Sequence, residues 1–166
     1  MKGAMTNSND NAFTRTEKAT FAAGCFWGVE ADFRRIPGVI DAVSGYTGGM
    51  TPNPTYRQVC GDGTGHAEAV EVTFDPSRVS YETLVDHFFK MHNATTPNRQ
   101  GPDVGSQYRS VIFTHSAEQV AAAAAARDRA QKNERSPIVT QIVPASTFYP
   151  AEEYHQRYFE KQGIAH

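Results

Sequence analysis

The sequence predicts an α+β fold, a two-layer α/β sandwich with a ferredoxin-like βαββαβ core, a mixed sheet and long loops. Three observations predict it. Strand-like and helix-like stretches alternate along the chain, two strand-like stretches succeed one another near its middle, and the stretches between them carry apolar residues at helical intervals. A chain of 166 residues can bury about two-thirds of its unfolded surface around one core, so a single domain over 17–166 is expected. Residues 1–16, mostly small and polar, are expected to form a flexible N-terminal segment.

Each element has its own local reason. Lys18–Ala23 is strand-like and runs into Gly24, after which Phe26, Val29, Phe33 and Ile36 recur at helical spacing until Pro37-Gly38 stops them. Val39–Tyr46 reads as a second strand. Gly48-Gly49 and the Pro52-Asn53-Pro54 cluster then open a long irregular segment reaching about Gly65. From Glu68 to Phe74 the residues alternate, with Glu68, Val70, Val72 and Phe74 on one face and Ala69, Glu71 and Thr73 on the other. Valines that point inward therefore take Glu68 with them. Ser80 caps a helix that carries Tyr81, Leu84, Val85 and Phe88 on one side, and a second structureless stretch is expected from about Asn93 to Gln107. Tyr108–Thr114 is strand-like, and Ser116-Ala117-Glu118-Gln119 has the form of a capping box ahead of the alanine run Ala121–Ala126. Ile138–Val143 reads as a further strand. Pro150 in a first helical turn, with Glu152 and Glu153 near the positive helix end, begins a last helix. The order of strands in the sheet is not readable at this level.

Composition excludes several functions. The formal net charge is -2 and Lys and Arg are scattered, with no basic run to neutralise a row of phosphates, so nucleic acid is not an expected partner. No stretch approaches the roughly 18 apolar residues of a membrane span, and the N-terminus lacks the apolar core of a secretory signal. A soluble, cytoplasmic monomer without a membrane partner is expected. Cys25 and Cys60 are the only cysteines, outside the close paired spacings of zinc sites and the dense pattern of secreted disulfide scaffolds. Neither a metal nor another cofactor is expected.

The chemistry centres on Cys25. A thiol attacks as thiolate, and a helix start offers free amides and the positive end of the dipole, so a lowered pKa is expected there. Gly24 permits a turn that a side chain hinders, and Gly28 allows close approach to the first turn. A small buried hydrophobe is the alternative reading of Cys25, and core packing that of Phe26 and Trp27. Adjacent aromatics on a helix point about 100° apart, so one can pack inward while the other walls a pocket beside the thiol. Glu68 lies where desolvation raises a carboxyl pKa toward neutrality; an exposed strand-end carboxylate is its alternative.

The pentapeptide Gly24-Cys25-Phe26-Trp27-Gly28 resembles the signature of the A-type peptide methionine sulfoxide reductases. The resemblance continues, in order and spacing, through Ser44-Gly45-Tyr46-Thr47-Gly48-Gly49, Thr51-Pro52-Asn53-Pro54-Thr55-Tyr56, Gly65-His66-Ala67-Glu68-Ala69-Val70 and Gly105-Ser106-Gln107-Tyr108-Arg109-Ser110. It implies a catalytic domain that reduces methionine (S)-sulfoxide, free or in proteins, in antioxidant protein repair. Cys25 would attack the sulfoxide sulfur and become a sulfenic acid, Glu68 would donate the proton, and the Tyr56 and Tyr108 hydroxyls would bind the oxygen. Asp103 would complete the polar site, and Phe26 and Trp27 would receive the S-methyl group. His66 is expected to be structural.

Family members often carry resolving cysteines in a C-terminal tail, whereas this sequence closes on Gly163-Ile164-Ala165-His166 without one. Cys60 is expected to be a buried structural thiol, leaving thioredoxin or another external thiol to reduce the Cys25 sulfenic acid. A peroxidase-like thiol protein and a module that only binds oxidised methionine are the rival readings. A buried Glu68 argues against the first, and loss of function in Cys25→Ser would argue against the second.

Overall fold

The structure, a computed structural model, describes residues 15–61 and 63–163. The segment 1–16 expected to be flexible falls almost wholly outside the described residues. In chain order the elements are β1 (Glu17–Ala23), α1 (Phe26–Arg34), β2 (Val39–Thr47), α2 (Tyr56–Cys60), β3 (Ala67–Phe74), α3 (Tyr81–Met91), β4 (Arg99–Gln100) and β5 (Asp103–Val104). A 3-10 turn, Ser106–Tyr108, leads to β6 (Ser110–Thr114), α4 (Ala117–Gln131), β7 (Gln141–Pro144) and β8 (Tyr149–Pro150). A second 3-10 turn, Glu153–His155, precedes α5 (Tyr158–Lys161).

Six strands form one sheet in the order β7-β6-β1-β3-β2-β8. The sheet is mixed, with β6 and β7 parallel and the other neighbours antiparallel, so the expected α+β class with a mixed sheet is the one observed. Alternation sorts its side chains onto two faces. Phe21, Val70, Val72, Phe74 and Ile112 join Phe33 of α1, Leu84, Val85 and Phe88 of α3 and Ala123 and Ala126 of α4 in the main core. Phe21 stacks on Phe33 at 4.8 Å; truncating either to alanine costs about 3–5 kcal/mol. The other face carries Ala22, Ala67, Ala69, Val111 and Phe113 beneath Val143, Ala145 and Phe148. The exposed face expected of β3 is therefore limited to Glu71 and Thr73, both half-buried, because Ala67 and Ala69 lie under this second cover.

Both segments read as irregular contain structure. In the first, Thr55 and Gln58 form a complete capping box for α2, the Thr55 hydroxyl accepting the Gln58 N–H and the Gln58 side chain accepting the Thr55 N–H. The second holds the β4–β5 hairpin and the turn before β6. The box expected at α4 is half-made: Ser116 Oγ accepts the Gln119 N–H at 3.2 Å. The Gln119 side chain turns instead to the His115 N–H at 2.9 Å and the Lys18 carbonyl at 2.8 Å, tying α4 to β1. Pro150 does not start a helix. It sits in the edge strand β8 opposite Gly45, a position where a missing N–H is tolerated, and the helical turns come later.

Because β1 runs antiparallel to both β3 and β6, the end of β1 lies beside the beginnings of the other two: Phe21 pairs with Val70, and Ala23 with Ser110. Glu68 lies at the start of β3, Cys25 just past the end of β1 and Tyr108 just before the start of β6.

Candidate active site

Gly24 turns the chain from β1 into α1 with a φ of 97°, and a Cβ there would lie 2.9 Å from the Gln100 side chain. The backbone conformation and the packed β4 hairpin both call for glycine. Cys25 follows as the N-cap of α1, half-buried, and the backbone amides of Trp27 and Gly28 in the first turn act on its sulfur to favour the thiolate. Burial outweighs those amides, and the charges of Glu68 and Asp103 add to it, so the thiol is pushed up to about 11. This corrects the expected lowering. The helix start acts in the predicted direction, but it is the smaller effect, and at neutral pH the resting protein holds Cys25 as a thiol.

Glu68 is carried inward with the valines as the alternation predicts, and only 1% of its surface is exposed. Its Oε1 accepts the Phe26 N–H at 3.1 Å, and its Oε2 is buried without a hydrogen-bond partner among the described residues. Burial raises its pKa to about 7, the Phe26 amide opposing and Asp103 adding. Near pH 7 the carboxyl is therefore poised between its protonated and ionised forms, held on the amide of the residue that follows the thiol.

The other expected polar residues gather around this pair. Tyr56 opens α2, Tyr108 closes the turn before β6 and Asp103 stands in β5. Burial, then the charge of Glu68, raises the Tyr108 hydroxyl to about 12. Tyr56 is likewise raised by burial, then by a hydrogen bond to Cys60 and by Glu68. Asp103 acts electrostatically on Cys25, Glu68 and Tyr108. Cys60 requires a correction: it is exposed rather than buried, and its sulfur meets the Tyr56 hydroxyl at the edge of the site. A sequence cannot tell which face of a one-turn helix looks outward, and α2 was itself not expected.

Two aromatic side chains line the same region. Phe26, fully buried, lies 5.6 Å from Tyr46, 6.3 Å from Tyr56 and 5.3 Å from His155, ring centre to ring centre. Trp27 is half-buried. It donates its indole N–H to His155 Nδ1 at 2.9 Å and stacks on Tyr158 at 3.8 Å. His155, Tyr158 and Glu152, which accepts the Tyr56 N–H at 3.0 Å, were not among the expected site residues. In sequence, Ala151-Glu152-Glu153-Tyr154-His155 looks like an ordinary solvated helix start. His66 is held away from this chemistry: its Nδ1 accepts the Gly49 N–H at 2.9 Å and its Nε2 meets the Thr51 carbonyl at 2.7 Å, bracing the loop after β2.

A family model described as peptide methionine sulfoxide reductase matches residues 17–165. Peptide methionine sulfoxide reductase MsrA of Methanosarcina mazei is 62% identical over 150 residues, which cover 89% of this chain and 71% of that protein. The reduced form of Mxr1 from Saccharomyces cerevisiae superimposes with a TM-score of 0.86 at 37% identity, covering 95% of this chain and 90% of that one. Mxr1 in complex with Trx2 superimposes with a TM-score of 0.64 at 28% identity, covering 95% and 91%. A match along nearly all the described fold, with a thiol at the β1–α1 turn and a buried acid facing it, leads to one conclusion: this chain belongs to the peptide methionine sulfoxide reductase family.

Proposed function

We propose that this chain reduces methionine (S)-sulfoxide, free or in proteins, to methionine through a Cys25 sulfenic acid, as a protein-repair enzyme. The observation that carries the reading is the buried Glu68 carboxyl, oriented through one oxygen and without a partner at the other among the described residues, beside a helix-start thiol. Membership of the family supports it.

Between about pH 7 and pH 11 the pair of Cys25 and Glu68 holds one proton. At rest that proton sits on sulfur, because the thiol is the weaker acid. Its passage to Glu68 leaves a thiolate opposite a carboxylic acid. The thiolate attacks the sulfoxide sulfur while Glu68 gives the proton to the oxygen, and Tyr56 and Tyr108 donate hydrogen bonds to that oxygen as charge builds on it. The S–O bond and the newly formed bond between the two sulfurs then break as the protonated oxygen bonds to Cys25, which is left as a sulfenic acid, and methionine leaves with two electrons gained. In this reading Asp103 completes the polar site, and Phe26 and Trp27 receive the S-methyl group. Thioredoxin or another thiol then displaces water from the sulfenic acid and reduces the resulting disulfide; the complex of Mxr1 with Trx2 supports this step.

Residues 17–166 act as one catalytic domain in this reading, monomeric and cytoplasmic; no helix among the described residues is long and apolar enough to cross a membrane. We read β1-α1-β2-β3-α3-β6 as a ferredoxin-like core in a two-layer sandwich, a description supported by the antiparallel order β6-β1-β3-β2. The test is incubation with separated S and R sulfoxides and dithiothreitol. Methionine is expected from the S form only, and none from Cys25→Ser; reduction confined to the R form would overturn the assignment.

A further inference from the structure

We propose that Glu152 is a positioning residue for this reaction, setting the Tyr56 hydroxyl where the sulfoxide oxygen is received. The inference rests on the functional reading above. Glu152 Oε1 accepts the Tyr46 hydroxyl at 2.8 Å and Oε2 accepts the Tyr56 N–H at 3.0 Å. Tyr46 is fully buried in β2, and its register partner across the sheet is Glu68. One carboxylate thus ties the first residue of α2 to the strand that flanks the acid.

Such a tie matters because α2 is short. A helix of five residues has too few internal hydrogen bonds to hold its own orientation. Its direction is set by the groups that seize its ends, and the Tyr56 amide is one of the free donors of a helix start. The Tyr56 ring lies 4.3 Å from that of His155, in the turn that directly follows Glu152. Glu152 is itself held on both sides: the Ala151 N–H reaches the Ser44 carbonyl at 2.8 Å. The Gln156 side chain accepts the Ser44 N–H at 2.9 Å and donates to the Ser44 carbonyl at 2.8 Å. No step of the reaction uses Glu152 for proton transfer, and its carboxylate stays ionised, held below the ordinary range: burial pushes it up, but the amides and the Tyr46 hydroxyl outweigh that.

The test is a double-mutant cycle between Glu152→Ala and Tyr56→Phe, read by kcat and KM for an S-sulfoxide peptide. The Tyr56 hydroxyl works on the oxygen as the bond breaks, so Glu152→Ala is expected to lower kcat about tenfold or more, with KM changed less than about threefold. The double variant is expected within about threefold of Tyr56→Phe alone, since both changes remove the contribution of one hydroxyl. Glu152→Gln, which keeps the size but offers one acceptor for two donors, should fall between wild type and Glu152→Ala. Losses that multiply in the double variant, or a wild-type kcat in Glu152→Ala, overturn the proposal. Should Glu152→Ala fail to fold by circular dichroism, the same cycle with Glu152→Gln decides by the same criterion. An active wild type with multiplying losses overturns this inference alone, whereas a wild type inactive on both epimers overturns the functional reading as well.

Discussion

The backbone N–H of Phe26 donates to Oε1 of Glu68 at 3.1 Å, so the residue that follows the nucleophile orients the acid. The two reacting groups are thereby fixed relative to each other through one peptide unit, and Oε2 of Glu68 is the oxygen of that carboxyl left without a hydrogen-bond partner among the described residues. The same contact opposes protonation without reversing it, which leaves the carboxyl near pKa 7 rather than far above it.

Activity should depend on pH in a way that reports a shared proton. Below about 7 the pair carries two protons and lacks a thiolate; above about 11 it carries none and lacks an acid. The kcat/KM for sulfenic acid formation is expected to rise through about pH 7, hold a plateau and fall toward pH 11. Glu68→Gln should lower the rate by about 10²-fold or more and leave a profile that only climbs with Cys25 ionisation. A steady decline of the wild-type rate above pH 7 would contradict this.

Stability should respond to the same carboxyl with the opposite demand. The folded pKa of Glu68, about 7, lies above its unfolded value of 4.5, so the folded state binds the proton more tightly. Its contribution is fully present below pH 4.5 and is lost as pH rises through 7. Glu68→Gln is therefore expected to be more stable than wild type at pH 8, by on the order of 2 kcal/mol, and to show no such gain at pH 4. Urea denaturation at the two pH values reads the difference; an equal gap at both would refute it.

Gly24→Ala should damage the site through the backbone. A φ of 97° is strained for alanine, and the added Cβ meets Gln100 at 2.9 Å, a combined cost of about 1–3 kcal/mol. A lower melting temperature with a reduced rate of sulfenic acid formation is expected, and a variant with wild-type values for both would show that the turn tolerates a side chain.

Turnover should require an external thiol. Cys60 borders the site, and although the residue is exposed, partial desolvation of its sulfur and the charge of Glu68 keep its pKa raised against the opposing Tyr56 hydroxyl, so little of it is thiolate and it attacks poorly. Without reductant, about one equivalent of methionine per chain is expected, with the oxygen retained on Cys25. Mass spectrometry that finds a stable Cys25–Cys60 disulfide would reject this.

Much of the fold was legible because its long elements are strongly patterned: the alternation of β3 carried Glu68 inward, and Ser80 caps α3 as read. The short elements were not, for physical reasons. Helix α2 depends on a capping box hidden behind Pro52-Asn53-Pro54, and β8 exists only because β2 presents an edge to it. Within the site, Cys25, Glu68 and the two tyrosines stood in recognisable motifs. His155 and Tyr158 did not, since their relation to Trp27 arises from packing between distant parts of the chain. The ionisation of Cys25 was misjudged because a helix start is visible in a sequence, whereas the depth at which the sulfur lies is not.

The stretch from Tyr149 to Tyr158 reaches back to β2, to Trp27 and to the start of α2. During synthesis Cys25 leaves the ribosome well ahead of it. Until that late stretch docks, the indole of Trp27 has neither its histidine nor its tyrosine, and the first amide of α2 has no carboxylate. A nascent chain thus makes its thiol early but completes the walls around it late, once residues 149–158 have been made and docked against Trp27 and α2.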